Sequence, residues 1–227
     1  MSISGKIHAV VKADAYGHGA VSVARALQKV GCESFCVADF NEAFSLRHGL
    51  GGDYKIIVLG FVPPLFVRKC IFYGITPTVF SFSHASALND NLGDGEELSV
   101  FIALDTGMNR KGVKCDGKFS LSKEELKEIL RLPRIKVDGI YTHFHAAVPS
   151  EKGQKQTKKQ RTRFYEAIKE LLLDDADISL STRTLWQEKG FATESVRAGL
   201  ALYGYPDGLP VMKFVSTVVE VRSVKRG

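Results

Sequence analysis

Short apolar blocks typical of buried strands recur along this chain, separated by segments with the spacing of amphipathic helices. The first predicted strand contains Ala9-Val10-Val11 and ends at Lys12, and a helical apolar period then runs from Ala20 to Val30, before Gly31. Further strands are predicted at 35–38, 55–59, 76–80, 98–104, 137–141, 177–181 and 196–202. The pattern therefore predicts about eight strands with helices between them.

Several of the predicted helices have N-terminal signals or one apolar face. Asp39 with Glu42, and Ser122 with Glu125, have the spacing of capping boxes at helix starts. The segment 154–173 is amphipathic, with apolar residues on one side and basic residues on the other. Repeated β/α units of this kind form either a (β/α)₈ barrel or a doubly wound sheet, and both bind ligands at the carboxyl ends of the strands.

Composition favours one large core and excludes several classes of protein. The 227 residues are 44% hydrophobic, and no Pro/Gly/Ser-rich linker divides them. The net charge of +6 comes mainly from 152–163 and 222–226, which are not interleaved with aromatics as a nucleic-acid surface would be. No apolar run is long enough to span a membrane. We therefore expect neither a nucleic-acid partner nor a membrane partner.

The four cysteines are few for this length, and no secretory signal opens the chain, so a reduced, cytoplasmic compartment is expected. Cys32 and Cys36 have the spacing of half a metal site, but the other two cysteines are distant. Buried small apolar side chains are the better interpretation, and no metal is predicted.

Lys12 is the first candidate for chemistry. A lysine at a strand end, approached by aliphatic residues, has an environment that favours the neutral amine needed by a Schiff-base nucleophile. An isolated lysine at such a place more often extends its ammonium to solvent along an apolar surface. The surrounding residues decide between these interpretations.

The run Ala9–Ala20, with Lys12, Tyr16, Gly17 and Gly19, resembles the pyridoxal-phosphate (PLP) lysine motif of alanine racemases. The resemblance implies that Lys12 is the catalytic, PLP-bound lysine and that Tyr16 contacts the cofactor phosphate. It also implies an α/β fold of the (β/α)₈ TIM-barrel type.

Two further segments resemble the same family. Asp105–Val113 is similar to its DTGM-x-R-x-G-V segment, which implies that Arg110 holds the cofactor's phenolate oxygen and the substrate carboxylate. Tyr141–Phe144 resembles its Y-T-H-F, which implies that His143 lies beside the cofactor ring as part of the catalytic apparatus. A lone histidine at a strand end is otherwise more often structural.

The fourth match, Ser195–Gly204, resembles V-R-x-G-I-A-M-Y-G. It implies that Arg197 donates to the pyridine nitrogen and that the amides of Gly199 and Leu200 hold the phosphate. An arginine does not readily protonate that nitrogen, so the ring remains a weaker electron sink, which limits transamination and suits racemisation.

Two internal departures from the family pattern affect these roles. Where the family has A-N-S with a phosphate-binding serine, this chain has Leu180, Ser181 and Thr182, and Thr182 keeps the hydroxyl. Ala103 replaces a lysine that is carbamylated in some members, so Arg110 is expected to lack that anionic support.

The ends of the chain differ from the family more strongly. Because the chain starts almost inside the lysine strand, one outer barrel element is expected to be missing, and 211–227 resembles the start of the family's second, all-β domain. The predicted organisation is a PLP-binding barrel over 1–210 and a truncated C-terminal β-domain over 211–227. That domain carries the second catalytic base, supplied across a homodimer interface. Racemisation needs two bases, so the 227 residues alone are expected to racemise only at background rate.

The resemblance as a whole implies an enzyme that interconverts L-alanine and D-alanine for peptidoglycan supply. The alternative is a single-domain PLP-homeostasis protein, which has a similar barrel and about this length but no turnover. The motifs containing Tyr16, Arg110 and Arg197 favour the racemase. Nothing in the sequence decides between alanine and another small amino acid as substrate.

Overall fold

The computed structural model describes residues 6–115, 119–145, 151–169, 171, 177–181, 195–205, 208–213 and 215–223. The strands in these ranges are β1 Lys6–Val10, β2 Ser34–Val37, β3 Lys55–Val58, β4 Ile75–Val79, β5 Leu98–Asp105, β6 Val113–Lys114, β7 Ile135–Thr142, β8 Asp177–Ser181 and β9 Ser195–Ala198. The helices are α1 Lys12–Tyr16, α2 Ala20–Gln28, α3 Phe40–Leu50, α4 Val67–Tyr73, α5 Phe82–Asp90, α6 Phe119–Leu130 and α7 Glu151–Ile168. Short 3₁₀ turns cover Pro64–Phe66 and Leu200–Tyr203.

Eight parallel strands close into a barrel. The order runs from β4 through β3, β2, β1, β9, β8 and β7 to β5, and a direct pairing of β4 with β5 completes the ring. β6 pairs with the end of β5. The predicted (β/α)₈ barrel is therefore confirmed. A doubly wound sheet is excluded, because such a sheet has two open edge strands and this one is closed.

Alternation along the strands divides the buried residues into two apolar layers. The larger lies between the barrel and its helices and includes Phe35, Leu88, Ile102 and Phe164. The smaller consists of the alternate strand residues, whose side chains point to the opposite side of the sheet. It includes Val10, Cys36, Ile57, Phe101 and Tyr141 and fills the barrel interior. The interior is thus a packed core on which a site at either end can rest.

A polar layer lies below this interior core, at the amino ends of the strands. Buried His8 is hydrogen-bonded through Nδ1 to Ser34 Oγ (2.6 Å), and its Nε2 donates to Asp177 Oδ2 (2.8 Å). Ser195 Oγ also donates to Asp177. Each of these polar groups therefore has a partner inside the barrel.

A second ion pair extends the same layer. Lys55 Nζ donates to Asp138 Oδ2 at 2.9 Å, and Ser99 Oγ donates to the other carboxylate oxygen at 3.1 Å. The Lys55 ammonium also lies over the Phe101 ring, 5.6 Å from its centroid. The layer thus joins residues of seven strands at the amino end.

Three predicted boundaries need correction. Val30 lies beyond the end of α2 and is 80% exposed, so it does not share the apolar face of that helix. α6 begins at Phe119, which places Ser122 inside the helix rather than at its cap. The strand predicted over 196–202 ends at Ala198, because Gly199 turns the chain into a 3₁₀ turn.

Helix α5 and the C-terminal segment complete the description of the fold. Helix α5 lies where a helix between strands was expected but was given no bounds, and Ser81 caps it by accepting from the His84 amide (3.2 Å). Residues 211–213 and 215–223 have no helix or strand and are exposed, and a domain boundary at 210 stays a prediction. Within the described part of the chain, no helix is long and apolar enough to cross a membrane.

Candidate active site

The predicted site residues lie at the carboxyl end of the barrel. Lys12 follows the end of β1 by two residues, His143 follows β7 directly, and Arg197 belongs to β9. Arg110 lies in the loop between β5 and β6. The strands therefore bring together four residues that are far apart in the sequence, at the end where barrel enzymes bind ligands.

The backbone after Lys12 has an unusual conformation. The strand ends at Val10, not at Lys12, and the short turn α1 has left-handed φ/ψ angles near +50° at Ala13, Asp14 and Ala15. Tyr16 also has a positive φ. The left-handed helical region costs an L-residue about 1–2 kcal/mol, so other contacts must hold this turn.

Tyr16, Gly199 and Tyr203 form one wall of the site. The Tyr16 and Tyr203 rings meet edge to face with centroids 5.2 Å apart, and Tyr203 Oη donates to the Val10 carbonyl at 3.0 Å. A Cβ added at Gly199 would lie 3.3 Å from Tyr16 Oη. Burial raises the pKa of Tyr16, so its hydroxyl stays protonated as a hydrogen-bond donor at neutral pH. A small residue at 199 thus keeps the space beside a phenolic donor open.

Arg197 is held rigidly on the barrel interior. Its guanidinium donates to the carbonyls of Thr142 (2.7 Å) and Ser179 (3.1 Å) and lies 4.0 Å from the Tyr141 ring centroid. Its side chain is only 5% exposed. Although burial lowers the pKa of this arginine, a guanidinium remains charged at any working pH. The structure therefore fixes a permanent positive charge beside β7.

His143 is neutral at physiological pH. His143 is exposed to solvent, but nearby protein atoms partly desolvate its imidazole. This desolvation, followed by the positive charges of Arg197, Arg110 and Lys12, lowers its pKa to about 4. The charges of Arg197, Arg110 and Lys12 therefore all reach the His143 ring.

Asp105 organises the loop that carries Arg110. Its carboxylate accepts from the amides of Gly107 (3.0 Å), Asn109 (2.9 Å) and Arg110 (3.0 Å). Arg110 itself is exposed. These contacts fix the backbone of the loop, whereas the exposed Arg110 side chain can turn towards a ligand. Ala103, for which the sequence analysis noted the loss of a lysine, is buried in the barrel.

Gln160 is a site residue that the sequence analysis missed. From the buried face of α7, its Nε2 donates to Thr106 Oγ1 and to the His143 carbonyl, both at 3.2 Å. Its Oε1 accepts from the His145 amide at 3.0 Å. Gln160 thus joins the loops that carry Arg110 and His143. Two polar residues, Thr157 and Gln160, lie three positions apart on the buried face of α7, and that pattern was the available signal.

The predicted phosphate-binding roles of Thr182 and Leu200 are not tested by the structure. Thr182 lies outside the described residues, as do the residues that follow it up to 194. Leu200 is described, and it opens the 3₁₀ turn after Gly199 with its side chain 45% exposed. Its predicted role for the backbone amide stays a prediction.

The positively charged mouth has the chemistry to hold an anionic cofactor. Lys12 offers an amine, Arg110 and Arg197 offer guanidinium groups, and Tyr16 beside Gly199 offers a hydroxyl next to open space. A phosphate and a phenolate are the anions of PLP, and its aldehyde reacts with amines. The residues present therefore fit this cofactor.

Comparison with known proteins gives one consistent family. Residues 2–207 match the family model described as alanine racemase, N-terminal domain. The alanine racemase of Clostridium tetani is 33% identical over 98% of this chain and 60% of its own length. That of Limosilactobacillus fermentum is 34% identical over 98% of this chain and 62% of its own length. The chain thus spans about 60% of the length of the curated relatives that it matches.

Solved structures agree with these relatives. An alanine racemase from Clostridium difficile 630 superposes with a TM-score of 0.81 and 32% identity, over 91% of this chain and 54% of that protein. A histidine racemase from Leuconostoc mesenteroides subsp. sake superposes with a TM-score of 0.78 and 27% identity, over 92% of this chain and 55% of that protein. Racemases acting on different amino acids therefore share this barrel.

Proposed function

Because this chain belongs to the alanine racemase family, we propose that it binds PLP through Lys12 and takes part in interconverting L-alanine and D-alanine. The observation that supports this proposal most strongly is that Lys12, Arg110, His143 and Arg197 all lie at the carboxyl end of the barrel. A PLP-homeostasis barrel without turnover is the weaker alternative, because the similar proteins reported above are racemases.

PLP, when bound, supplies an electron sink that acidifies the α-proton of an attached amino acid. Lys12 would hold the cofactor, and Tyr16 with the backbone at Gly199 and Leu200 would hold its phosphate. Thr182 would add a hydroxyl. Arg197 would face the pyridine nitrogen, and its fixed contacts to Thr142 and Ser179 would keep it from moving away.

The chain's own residues divide the remaining tasks by charge. Lys12, two residues after the end of β1, is the group that accepts and returns a proton at its Nζ. Arg110, exposed on a fixed loop, would bind the carboxylate of the amino acid. His143, with its pKa near 4, stays neutral and can accept a hydrogen bond at one nitrogen and donate one at the other.

The wider setting follows the family resemblance. The proposal includes a homodimer, a cytoplasmic location and a supply of D-alanine for peptidoglycan. All four cysteines are free thiols, which fits a reduced compartment. A barrel over 1–210 that continues into a β-domain is also part of the proposal.

The test measures loss of the α-proton of L-alanine in heavy water by NMR, with the purified chain and saturating PLP. We expect exchange above that of PLP alone, and a fall of about 10²- to 10⁴-fold in Lys12→Ala, which lacks the base. L-Histidine serves as a second amino acid, because one structural neighbour is a histidine racemase. Exchange that Lys12→Ala leaves unchanged would contradict the proposal.

A further inference from the structure

Glu42 joins the loop after Lys12 to the neighbouring strand. Its Oε1 accepts from the Ala13 amide at 2.8 Å, and its Oε2 accepts from the Ala38 amide at 2.7 Å. Ala13 is the residue directly after Lys12, and Ala38 directly follows β2. One carboxylate on α3 therefore bridges the carboxyl ends of two adjacent strands.

This contact is not the one that the capping-box spacing predicts. Asp39 Oδ1 does accept from the Glu42 amide at 3.0 Å, as the N-cap of α3 should. In a capping box the Glu42 side chain would return to the Asp39 amide. Here it turns instead to Ala38 and Ala13, so it stabilises the neighbouring loop at the expense of its own helix start.

The turn that Glu42 contacts is the strained one. Ala13, Asp14, Ala15 and Tyr16 all have positive φ, and such backbone persists only where surrounding contacts hold it. Asp14 provides the second attachment, because its Oδ1 accepts from the Ala20 amide (2.7 Å) at the start of α2. The turn is thus tied at its first residue by Glu42 and at its far side by Asp14.

We propose that Glu42 is a positioning residue for Lys12, acting through the Ala13 amide to hold the left-handed turn that links Lys12 to Tyr16. The inference rests on the proposed function, since it concerns how the PLP-binding lysine is presented. Without Glu42 the turn can relax towards ordinary backbone angles, which moves Lys12 and Tyr16 relative to each other. Both would then fit the cofactor less well.

Glu42→Gln tests this inference because it keeps the volume but removes one acceptor oxygen and the charge. Glu125→Gln is the matched control: Glu125 Oε1 accepts from the Phe82 amide at 2.9 Å, the same kind of contact on another part of the barrel. Two quantities are measured in each purified variant. The first is the rate of amide hydrogen exchange in the cofactor-free protein. The second is the PLP concentration at which labelling of Lys12, trapped by borohydride reduction, reaches half of its maximum.

In Glu42→Gln we expect amides of 12–20 to exchange about tenfold faster, and half-saturation of Lys12 to need about three- to tenfold more PLP. In Glu125→Gln the faster exchange should be confined to 82–90, with Lys12 labelling unchanged. Glu42→Asp keeps the charge but is one methylene shorter, so it cannot bridge both amides, and it gives the same comparison if Glu42→Gln does not fold.

Unchanged exchange over 12–20 in the Glu42 variants would overturn the inference. So would equal weakening of Lys12 labelling in the Glu42 and Glu125 variants, which would indicate a general loss of stability. Absence of any label on Lys12 in the unsubstituted chain would instead contradict the proposed function, and the exchange result would still decide whether Glu42 holds the turn.

Discussion

The two ends of the barrel use charge in opposite ways. At the amino end, His8 is paired with Asp177, and Lys55 with Asp138, each carboxylate also accepting a serine hydroxyl. At the carboxyl end, His143 is surrounded by the charges of three cations, which help to lower its pKa to about 4. The first arrangement satisfies its charges internally, whereas the second leaves positive potential facing the open mouth.

This difference separates stability from function on one scaffold. The paired groups at the amino end neutralise each other and link neighbouring strands. Repulsion between the positive charges at the mouth lowers the free energy of unfolding, and binding of an anionic ligand offsets this loss. The predictions below test this contrast from the largest expected effect to the smallest.

Removing the Asp177 carboxylate at the amino end of the barrel should have the largest effect on stability. Asp177→Ala removes the carboxylate that accepts from the buried His8 imidazole and from the Ser195 hydroxyl, and we expect the free energy of unfolding to fall by about 2–4 kcal/mol. Asp138→Ala is the control: its partner Lys55 is 38% exposed and can be rehydrated, so about 1 kcal/mol is expected. Urea unfolding measures both. Equal losses would contradict the contrast between these two pairs.

The pH dependence of stability should separate the two ends. The pKa of His143 is lowered when the chain folds, so the unfolded chain takes up a proton first and stability decreases as pH falls from about 6.5 towards 4. Burial raises the pKa of Asp177, but hydrogen bonds from His8 and Ser195 outweigh it and leave the pKa below its usual range. The stability from Asp177 is therefore present above the usual carboxyl pKa and is lost at still lower pH.

Substitutions assign these two pH windows. His143→Gln should flatten the decrease between pH 6.5 and 4, and Asp177→Asn should remove the part that lies below the usual carboxyl pKa. Unfolding curves collected across this pH range provide the measurement. A profile that neither substitution alters would show that other groups control the acid sensitivity.

The smallest effect is electrostatic and local to the mouth. Arg110→Ala removes one of the cations near His143, so the pKa of His143 should rise, by roughly half a unit because Arg110 is exposed and screened. NMR titration of the imidazole measures this directly. Lys114→Ala, a substitution of another cation that follows the same loop, is the control and should leave the His143 pKa unchanged. An unchanged His143 pKa in Arg110→Ala would place Arg110 outside this cluster.

The sequence located the barrel strands because each has its own continuous apolar run, readable without knowledge of its neighbours. It gave no bounds for α5, in which buried His84 and Asn89 interrupt the apolar face. It also identified Glu42 and Glu125 as local caps, whereas both side chains accept from amides of other elements. Local spacing therefore located the start of α3 but not that of α6, and it predicted the contacts of neither carboxylate.

The candidate site was found by motif, while its supporting contacts were not. Lys12, Arg110, His143 and Arg197 each lie in a recognisable run, and the barrel brings them to one end. Contacts between distant positions have no such signal: His8 and Asp177 are 169 positions apart. The left-handed turn after Lys12 was also unpredicted, because alanine at that position gives no sign of a positive φ.

The most direct test of the central claim is to map the lysine that PLP modifies. The purified chain is incubated with PLP, reduced with borohydride, digested and analysed by peptide mass spectrometry, with Lys12→Ala treated in parallel. The account predicts a pyridoxyl label on Lys12 that is absent from Lys12→Ala. Lys111, which lies over the Phe80 ring at 5.4 Å from its centroid, should remain unlabelled. A label on Lys111 or another lysine, with Lys12 unmodified, would contradict the account.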